Sequence, residues 1–160
     1  MKRINHQIAH DTTLKAKQSE RSRMNYNFHP TLDDPIQRML NALEPETYLP
    51  PHRHVNPHKV EIFLVLKGKV LVVEFDDNGS VIDHQVLDPL QGGYGCEIAA
   101  GVWHTLISLE SGTVVYELKK GPFSAISEHN FATWAPKAND EKAKDYQLSL
   151  LRLLGVQQKS

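Results

Sequence analysis

Hydrophobic and polar residues alternate along the middle of the chain in the manner of short β-strands. The stretches KVEIFLVL, KVLVVEFD, VIDHQVL, CEIA, WHTLISL and TVVYELK are rich in β-branched and aromatic residues. Turns containing glycine or proline separate them, and one turn carries the Asn78-Gly79 pair that is typical of a hairpin. Short strands at this density predict a β-sandwich or barrel and not repeated βαβ units.

The first 48 residues are predicted to form an arm and the first strands. Residues 11–21 predict a short polar helix that Asp11 or Thr12 could cap. In the segment that follows, apolar and polar residues alternate, which is typical of a strand with one apolar face. IQRMLNAL, residues 36–43, predicts a further strand. The polar face of the arm strand carries Arg21, Arg23, Asn25, Asn27 and His29.

The C-terminal segment, residues 139–155, predicts a helix. Asn139 could cap its first turn, and Gly155 could end it. The predicted plan is one β domain over residues 1–160, with the arm and first strands at residues 1–48 and the core motifs at residues 49–120. The helix would bury an apolar stripe of Ala143, Tyr146, Leu150 and Leu153.

Apolar residues occupy both faces of the predicted strand over residues 60–66. A strand of this kind is covered on both sides. One face can line the interior of a barrel, whereas the other needs a second sheet, a terminal segment or a second subunit. We therefore predict a homodimer. Phe63 and Val65 lie on one face, and Val60, Ile62, Leu64 and Leu66 lie on the other.

The composition is that of an ordinary globular protein. The 160 residues include 40% hydrophobic and 23% charged residues, and a formal net charge of -1 gives no sign of nucleic-acid binding. The single cysteine, Cys96, excludes an intrachain disulfide. Because no apolar run suits a signal peptide or a membrane helix, we expect a cytoplasmic protein with no membrane partner.

Three histidines and one glutamate indicate a metal site. His52 and His54 point the same way in an extended chain, which makes them a natural pair of ligands. Glu61 shares its strand face with inward-facing apolar residues, and an unpaired buried carboxylate is costly unless a cation neutralises it. His104, after a glycine turn, is the fourth candidate. This ligand set suits one divalent ion of Fe, Mn, Ni, Co or Zn and does not choose among them.

Other readings of the neighbouring residues stay open. His58 lies between His54 and Glu61 and could replace Glu61 as a ligand, or Glu61 could instead face a lysine or arginine. Glu97 could support the metal ligands or act as the catalytic general acid or base, and its alternative is a surface acid beside a turn.

The polar face of the arm strand is the predicted ligand-binding surface. Arginine and asparagine side chains together suit phosphate, carboxylate or sugar hydroxyl groups. If the strand lines the mouth of a barrel, these side chains would hold a small anionic or polyhydroxylated ligand beside the metal. The alternative is an exposed edge strand, where arginines prevent association. The predicted ligand-binding residues are Arg23, Asn25, Asn27 and His29.

The spacing of the candidate metal ligands resembles the two motifs of the cupin superfamily. The first motif corresponds to His52, His54 and Glu61, with Gly68 after six intervening residues. The gap before Glu61 is longer than usual and contains His58. The second motif corresponds to Gly93, Gly101 and His104, while Ala99 stands in place of the usual proline and Ser108 in place of the usual asparagine.

A closer resemblance covers most of the chain. The stretches RSRMNYNFH, DPIQRMLNALEP, PHRH, GVWHTLISLE, YELKKGPF and FATWAP are similar to those of the WbuC-type cupin metalloproteins. These are small bacterial proteins, some of them encoded among genes for surface polysaccharide synthesis. The resemblance implies an all-β fold, the cupin double-stranded β-helix or jelly-roll barrel, with one bound metal. It implies no particular reaction.

Three functional readings follow. The first is a metal-dependent enzyme acting on a small sugar, sugar nucleotide or related anionic metabolite, and fold-level analogy favours isomerisation or epimerisation, or oxygen chemistry if the metal is iron. The second is a non-catalytic module that binds a sugar through the metal. The third is a metal-free cupin whose histidines act as acid and base, which a buried Glu61 disfavours.

Overall fold

Two antiparallel β-sheets and two α-helices make up the structure, a computed structural model that describes residues 1–159. Short 3₁₀ turns lie at Pro89–Gln91 and Glu128–Asn130. Within the described residues, no helix is both long enough and apolar enough to cross a membrane. The elements in chain order are α1 His6–Gln18, β1 Arg23–Asn27, β2 Ile36–Leu43, β3 Glu61–Lys67, β4 Val70–Phe75, β5 Val81–Leu87, β6 Gly95–Ile98, β7 Trp103–Ser108, β8 Thr113–Lys120 and α2 Ala143–Leu153.

The two sheets enclose the main hydrophobic core. One sheet has the strand order β1-β2-β8-β3-β6, and the other has the order β5-β4-β7. Alternate residues of each strand point between the sheets, so the interior receives every second side chain. Glu61 is the first residue of β3 and shares this inward face. The core between the sheets contains Leu43, Phe63, Val65, Val70, Val72, Leu87, Ile98, Leu106 and Val115.

The helices cover the outer faces of the sheets. Ala16 of α1 packs against Leu40 and Val114, so α1 shields the outer side of β2 and β8. Leu150 and Leu151 of α2 belong to a cluster with apolar residues of β4 and β7 on the outside of the smaller sheet. The predicted N-terminal arm and C-terminal helix are therefore both parts of the packed structure.

Both predicted helices have boundaries that differ from the sequence-based expectation. Helix α1 begins at His6 after an Asn5 cap, and Thr12 is buried with its hydroxyl donating to the carbonyl of Ile8. Helix α2 begins at Ala143 and not after Asn139, because the Asp140 carboxylate caps the Lys142 N–H in the preceding turn. Leu153 is 71% exposed, and Leu151 takes its expected place in the apolar stripe.

The outer face of β3 carries apolar side chains that stay partly exposed among the described residues. Leu64 is 40% exposed and Leu66 is 46% exposed, whereas Phe63 and Val65 are buried. The predicted homodimer stays a prediction, and this face is where we expect the second copy to pack. Light scattering at micromolar concentration should give twice the mass of one chain, and replacing Leu64 and Leu66 by lysine should give the mass of one. A single-chain mass for the unmodified protein would contradict the prediction.

Candidate metal centre

Backbone pairing brings the candidate ligands together from distant parts of the chain. The amide N–H of His52 donates to the carbonyl of His104 at 3.0 Å, and the amide of His104 donates back to His52 at 2.9 Å. This isolated bridge places the segment of His52 and His54 alongside β7. Glu61 enters from the start of β3 in the facing sheet.

The four candidate ligands form a compact donor set. His52, His54, Glu61 and His104 each offer one atom, and these atoms all lie within 4.8 Å of one another. Glu61 Oε2 lies 2.8 Å from His104 Nε2 and 3.1 Å from His54 Nε2. The two separations are short, yet all three atoms are buried without a properly oriented hydrogen bond. Because an unpartnered buried polar atom is costly, the donor set fits a bound cation.

Backbone carbonyls orient two of the imidazole rings. His52 Nδ1 lies 3.0 Å from the carbonyl oxygen of Pro50, and His104 Nδ1 lies 3.0 Å from that of Val102. A carbonyl can only accept, so each Nδ1 carries the ring proton. The lone pair then resides on Nε2, which is the nitrogen available to a metal, and the same contacts hold each ring in place.

The charges around the site favour cation binding. Burial and the neighbouring His104 lower the pKa of His52 to about 3, so this imidazole is neutral at neutral pH. Burial raises the pKa of Glu61, but contacts with His104 and His54 and the charge of Lys119 outweigh burial and hold that pKa well below its usual range. A neutral imidazole beside an ionised carboxylate is the protonation state that a divalent metal requires.

Lys119 compensates the side of Glu61 that faces away from the histidines. Its Nζ lies 2.6 Å from Glu61 Oε1 and 3.0 Å from Glu117 Oε1. Burial lowers the pKa of Lys119, but the charges of Glu117 and Glu61 outweigh burial and raise that pKa above its usual range. Glu61 therefore has one oxygen bonded to an ammonium group and the other directed at the imidazoles. The sequence offered a metal or a basic side chain as alternative partners of Glu61. In the structure the two are compatible, because one oxygen contacts Lys119 and the other faces the histidines.

Arg53, the residue between the two histidines, anchors their segment. Its guanidinium lies 4.2 Å from the centre of the Trp103 ring and 3.1 Å from Asp77 Oδ1. Trp103 Nε1 donates to the same Asp77 oxygen at 2.9 Å. The cation–π contact and the carboxylate that both side chains share hold the segment of His52 and His54 against β7 and the β4–β5 turn.

An inner cavity of about 220 Å³ opens onto His52 and Glu61. Its polar lining comes from β1, β2 and β8, and its apolar lining comes from the core and from the segment after β8. A ligand in this cavity would have access to a metal held by the histidines. The other lining residues are Arg23, Asn25, Asn41, Leu43, Leu49, Pro50, Phe63, Leu106, Glu117, Lys119, Ile126 and Phe131.

A larger cavity of about 510 Å³ lies outside the inner one. It shares Pro50, Ile126 and Phe131 with the inner cavity, but it contains none of the candidate metal ligands. We place the candidate site at the smaller cavity, because His52 and Glu61 of the donor set line it. The larger cavity is its neighbour, and these three shared residues lie at the border between them.

The predicted arm residues divide into two groups. Arg23 and Asn25 line the inner cavity, as expected. Asn27 is exposed and is not part of the lining, and His29 is buried against β2, where its Nδ1 accepts the backbone N–H of Arg38. Asn27 and His29 lie outside the inner cavity, because β1 passes the end of the cavity before it reaches them, and their ligand-binding role stays a prediction.

The structure places Glu97 away from the candidate metal centre. Glu97 pairs with Ile62 on the outward face of β6 and is exposed, whereas its neighbours Cys96 and Ile98 pack against the core. The expected catalytic role of Glu97 stays a prediction, and the structure places this residue outside the donor set. His58 is also exposed, and Glu61, not His58, completes the donor set.

Three polar residues of the cavity were missed by sequence reasoning. Glu117 and Lys119 share the inward face of β8 with buried Val115, and Asn41 shares the inward face of β2 with Leu43. The alternation of the strands could have revealed these three residues. In the stretches YELKK and LNAL the polar side chains occupy the same alternate positions as the core residues.

Cys96 is expected to react slowly with alkylating reagents. Burial and then the charge of Glu74 raise the pKa of its thiol to about 11. Since the thiolate is the reactive form, alkylation at pH 8 should be roughly 100-fold slower than for a free thiol with an ordinary pKa. Mass spectrometry with iodoacetamide measures this rate, and unfolding in urea should restore the ordinary rate. Equal rates in the folded and unfolded protein would contradict it.

Comparison with known proteins places the chain among cupin-fold structures. Residues 4–87 match the profile of the family described as Domain of unknown function (DUF6016). No curated protein matches the sequence. KdgF from a Halomonas species is 18% identical with a TM-score of 0.50, covering 64% of this chain and 82% of that one.

Two other solved structures have a similar fold. CapF from Staphylococcus aureus, a capsular polysaccharide assembling protein, is 22% identical with a TM-score of 0.56, covering 67% of this chain and 28% of that one. A recombinant oxalate oxidase in complex with glycolate is 18% identical with a TM-score of 0.50, covering 69% of this chain and 57% of that one. Identities this low concern the fold alone. The predicted cupin jelly-roll barrel is confirmed.

Proposed function

We propose that this chain, which belongs to the family described as Domain of unknown function (DUF6016), is a metal-binding cupin that acts on a small ligand in its inner cavity. The observation that carries the proposal is the convergence of His54 Nε2, His104 Nε2 and Glu61 Oε2. These atoms are buried, lie close together and have no hydrogen-bond partner. A divalent cation would satisfy all three at once.

In this proposal His52, His54, Glu61 and His104 hold the metal. Three imidazole nitrogens and one carboxylate oxygen suit Fe, Mn, Co, Ni or Zn. When bound, such a metal supplies Lewis-acid polarisation of a ligand oxygen, or redox chemistry if it is iron. Lys119 keeps one oxygen of Glu61 occupied, so the other remains directed at the histidines.

The chain's own polar residues would bind and orient the ligand. Arg23 and Asn25 from β1 and Glu117 and Lys119 from β8 line the same cavity as His52 and Glu61. Two cationic and two acceptor-bearing side chains suit a sugar or a small anionic metabolite. We favour an enzyme over a passive module, because the cavity gives a ligand access to the metal ligands and places ionisable groups around it.

The proposal includes a WbuC-type cupin with a role in surface polysaccharide synthesis. The motifs of this chain resemble those of the WbuC-type cupins, which supports a role in surface polysaccharide synthesis. CapF, a capsular polysaccharide assembling protein, resembles this chain in fold at 22% identity, and this chain covers 28% of its length. The wider polysaccharide role therefore depends on the WbuC resemblance and not on that likeness.

We expect the untagged protein to bind about one metal ion per chain. Elemental analysis of the purified protein, followed by titration of the chelated protein with Mn, Fe, Co, Ni and Zn, measures this stoichiometry. A chain that takes up none of these ions would contradict the metal centre and leave the metal-free reading. Turnover of nucleotide sugars or uptake of dioxygen by the loaded protein would separate an enzyme from a non-catalytic module.

A further inference from the structure

The carbonyl oxygen of the Asn41 side chain is a buried acceptor without a partner. Asn41 Nδ2 donates to Glu117 Oε2, whereas Asn41 Oδ1 is buried and makes no hydrogen bond. The amide cannot be turned around, because its oxygen would then face the Glu117 carboxylate. Asn41 lines the inner cavity, so a ligand in that cavity is a candidate for the missing donor.

Arg23 supplies spare donors and a positive charge without an ion-pair partner to the same cavity. Its Nη1 donates to the carbonyl of Tyr48 at 2.7 Å, which uses one of its five N–H groups. Within residues 1–159 no carboxylate forms an ion pair with Arg23. A guanidinium without an anionic partner in a confined space is a typical carboxylate-binding group.

The charges that face the cavity favour an anion once a metal is present. Glu61 and Glu117 contribute negative charges that Lys119 and Arg23 balance. A divalent cation at the imidazoles would leave an excess of positive charge. A ligand that carries a carboxylate would reduce this excess.

The volume of the cavity limits the size of the ligand. About 220 Å³ is the room that roughly seven water molecules occupy in the liquid. A sugar nucleotide does not fit in this space.

We propose that the inner cavity selects small hydroxycarboxylates. The carboxylate pairs with Arg23, and a hydroxyl group of the ligand donates to Asn41 Oδ1. Glu117 fixes the acceptor by holding the Asn41 amide in one orientation. The inference rests on the proposed function, because it assigns the ligand class of the cavity next to the proposed metal centre.

Titration with three matched small molecules tests this assignment. Lactate carries both groups, propionate lacks the hydroxyl and lactamide lacks the charge. Calorimetry or NMR titration of the metal-loaded protein should show lactate binding at least roughly tenfold more tightly than either of the others. Lactate binding no more tightly than propionate and lactamide would overturn the assignment, and this comparison needs no variant.

Three variants assign the preference to individual residues. Asn41→Leu should remove the preference for lactate over propionate, and Arg23→Gln should remove the preference for lactate over lactamide. Asn27→Leu on the exposed part of β1 is the matched control and should keep both preferences. Melting curves check that each variant is folded, and preferences unchanged in folded Asn41→Leu and Arg23→Gln would overturn the assignment.

The proposed function and this inference can fail separately. Metal stoichiometry is measured on each preparation, and the three ligands are titrated against both metal-loaded and metal-free protein. A chain that takes up no metal when it is titrated, yet still prefers lactate, would refute the metal centre and keep the assignment. A chain with metal and no preference would keep the metal centre and refute the assignment.

Discussion

Replacing His104 by alanine is expected to weaken metal binding by at least about 100-fold. Loss of a residue that only supports a metal ligand typically costs about 10- to 100-fold, and His104 is a proposed ligand itself. His104 is 1% exposed, and its Nε2 lies 2.8 Å from the Glu61 oxygen that faces the donor set. The pairing of β7 with β4 at this residue fixes the backbone from which the His104 side chain extends. Competition with a chelator of known affinity measures the loss.

The control for this variant is another histidine. His84 lies on β5, is exposed and is outside the donor set, so His84→Ala should bind metal like the unmodified protein. His54→Ala should reproduce the loss from a different segment of the chain. Full metal occupancy in folded His104→Ala and His54→Ala would refute the proposed centre.

Replacing Lys119 by methionine is expected to destabilise the metal-free protein by about 3–5 kcal/mol, the usual cost of removing one partner of a buried ion pair. The change leaves the carboxylates of Glu61 and Glu117 without their shared ammonium group. In the metal-loaded protein the loss should be smaller, because the cation still neutralises Glu61. Urea unfolding of both forms measures the two free energies.

Lys120→Met gives the matched control for that experiment. Lys120 is the next residue of β8 and is exposed, so its replacement should change the free energy of unfolding by less than about 0.5 kcal/mol. An equal loss of stability in the metal-loaded and metal-free Lys119→Met protein would show that Glu61 and the cation are not coupled.

Much of the site could be predicted because strand alternation and burial are local properties. Glu61 shares a parity with Phe63 and Val65, so its inward direction followed from three residues of one strand. The pairing of His52 with His104 could not be derived in this way, because it joins segments that lie far apart in sequence. The spacing shared with cupin motifs supplied that information.

The differences between the expected and the observed positions of polar residues have equally local causes. Strand β6 is only four residues long, and so short an alternation does not reveal whether Glu97 or its neighbours face the core. Lys119 and Glu117 belong to a charged run that resembles the exposed end of a strand, and only the neighbouring strands show that the end is enclosed. Asn27 and His29 continue a regular alternation past the point where the cavity ends.

The reciprocal backbone hydrogen bonds of His52 and His104 would tie the binding of an ion at the proposed centre to the motion of the polypeptide. Separation of this pair would move two imidazoles apart in one step. Release of the ion and local opening of the chain at His52 would then be a single event, and the exchange rates of these two amide protons would report how long the ion stays.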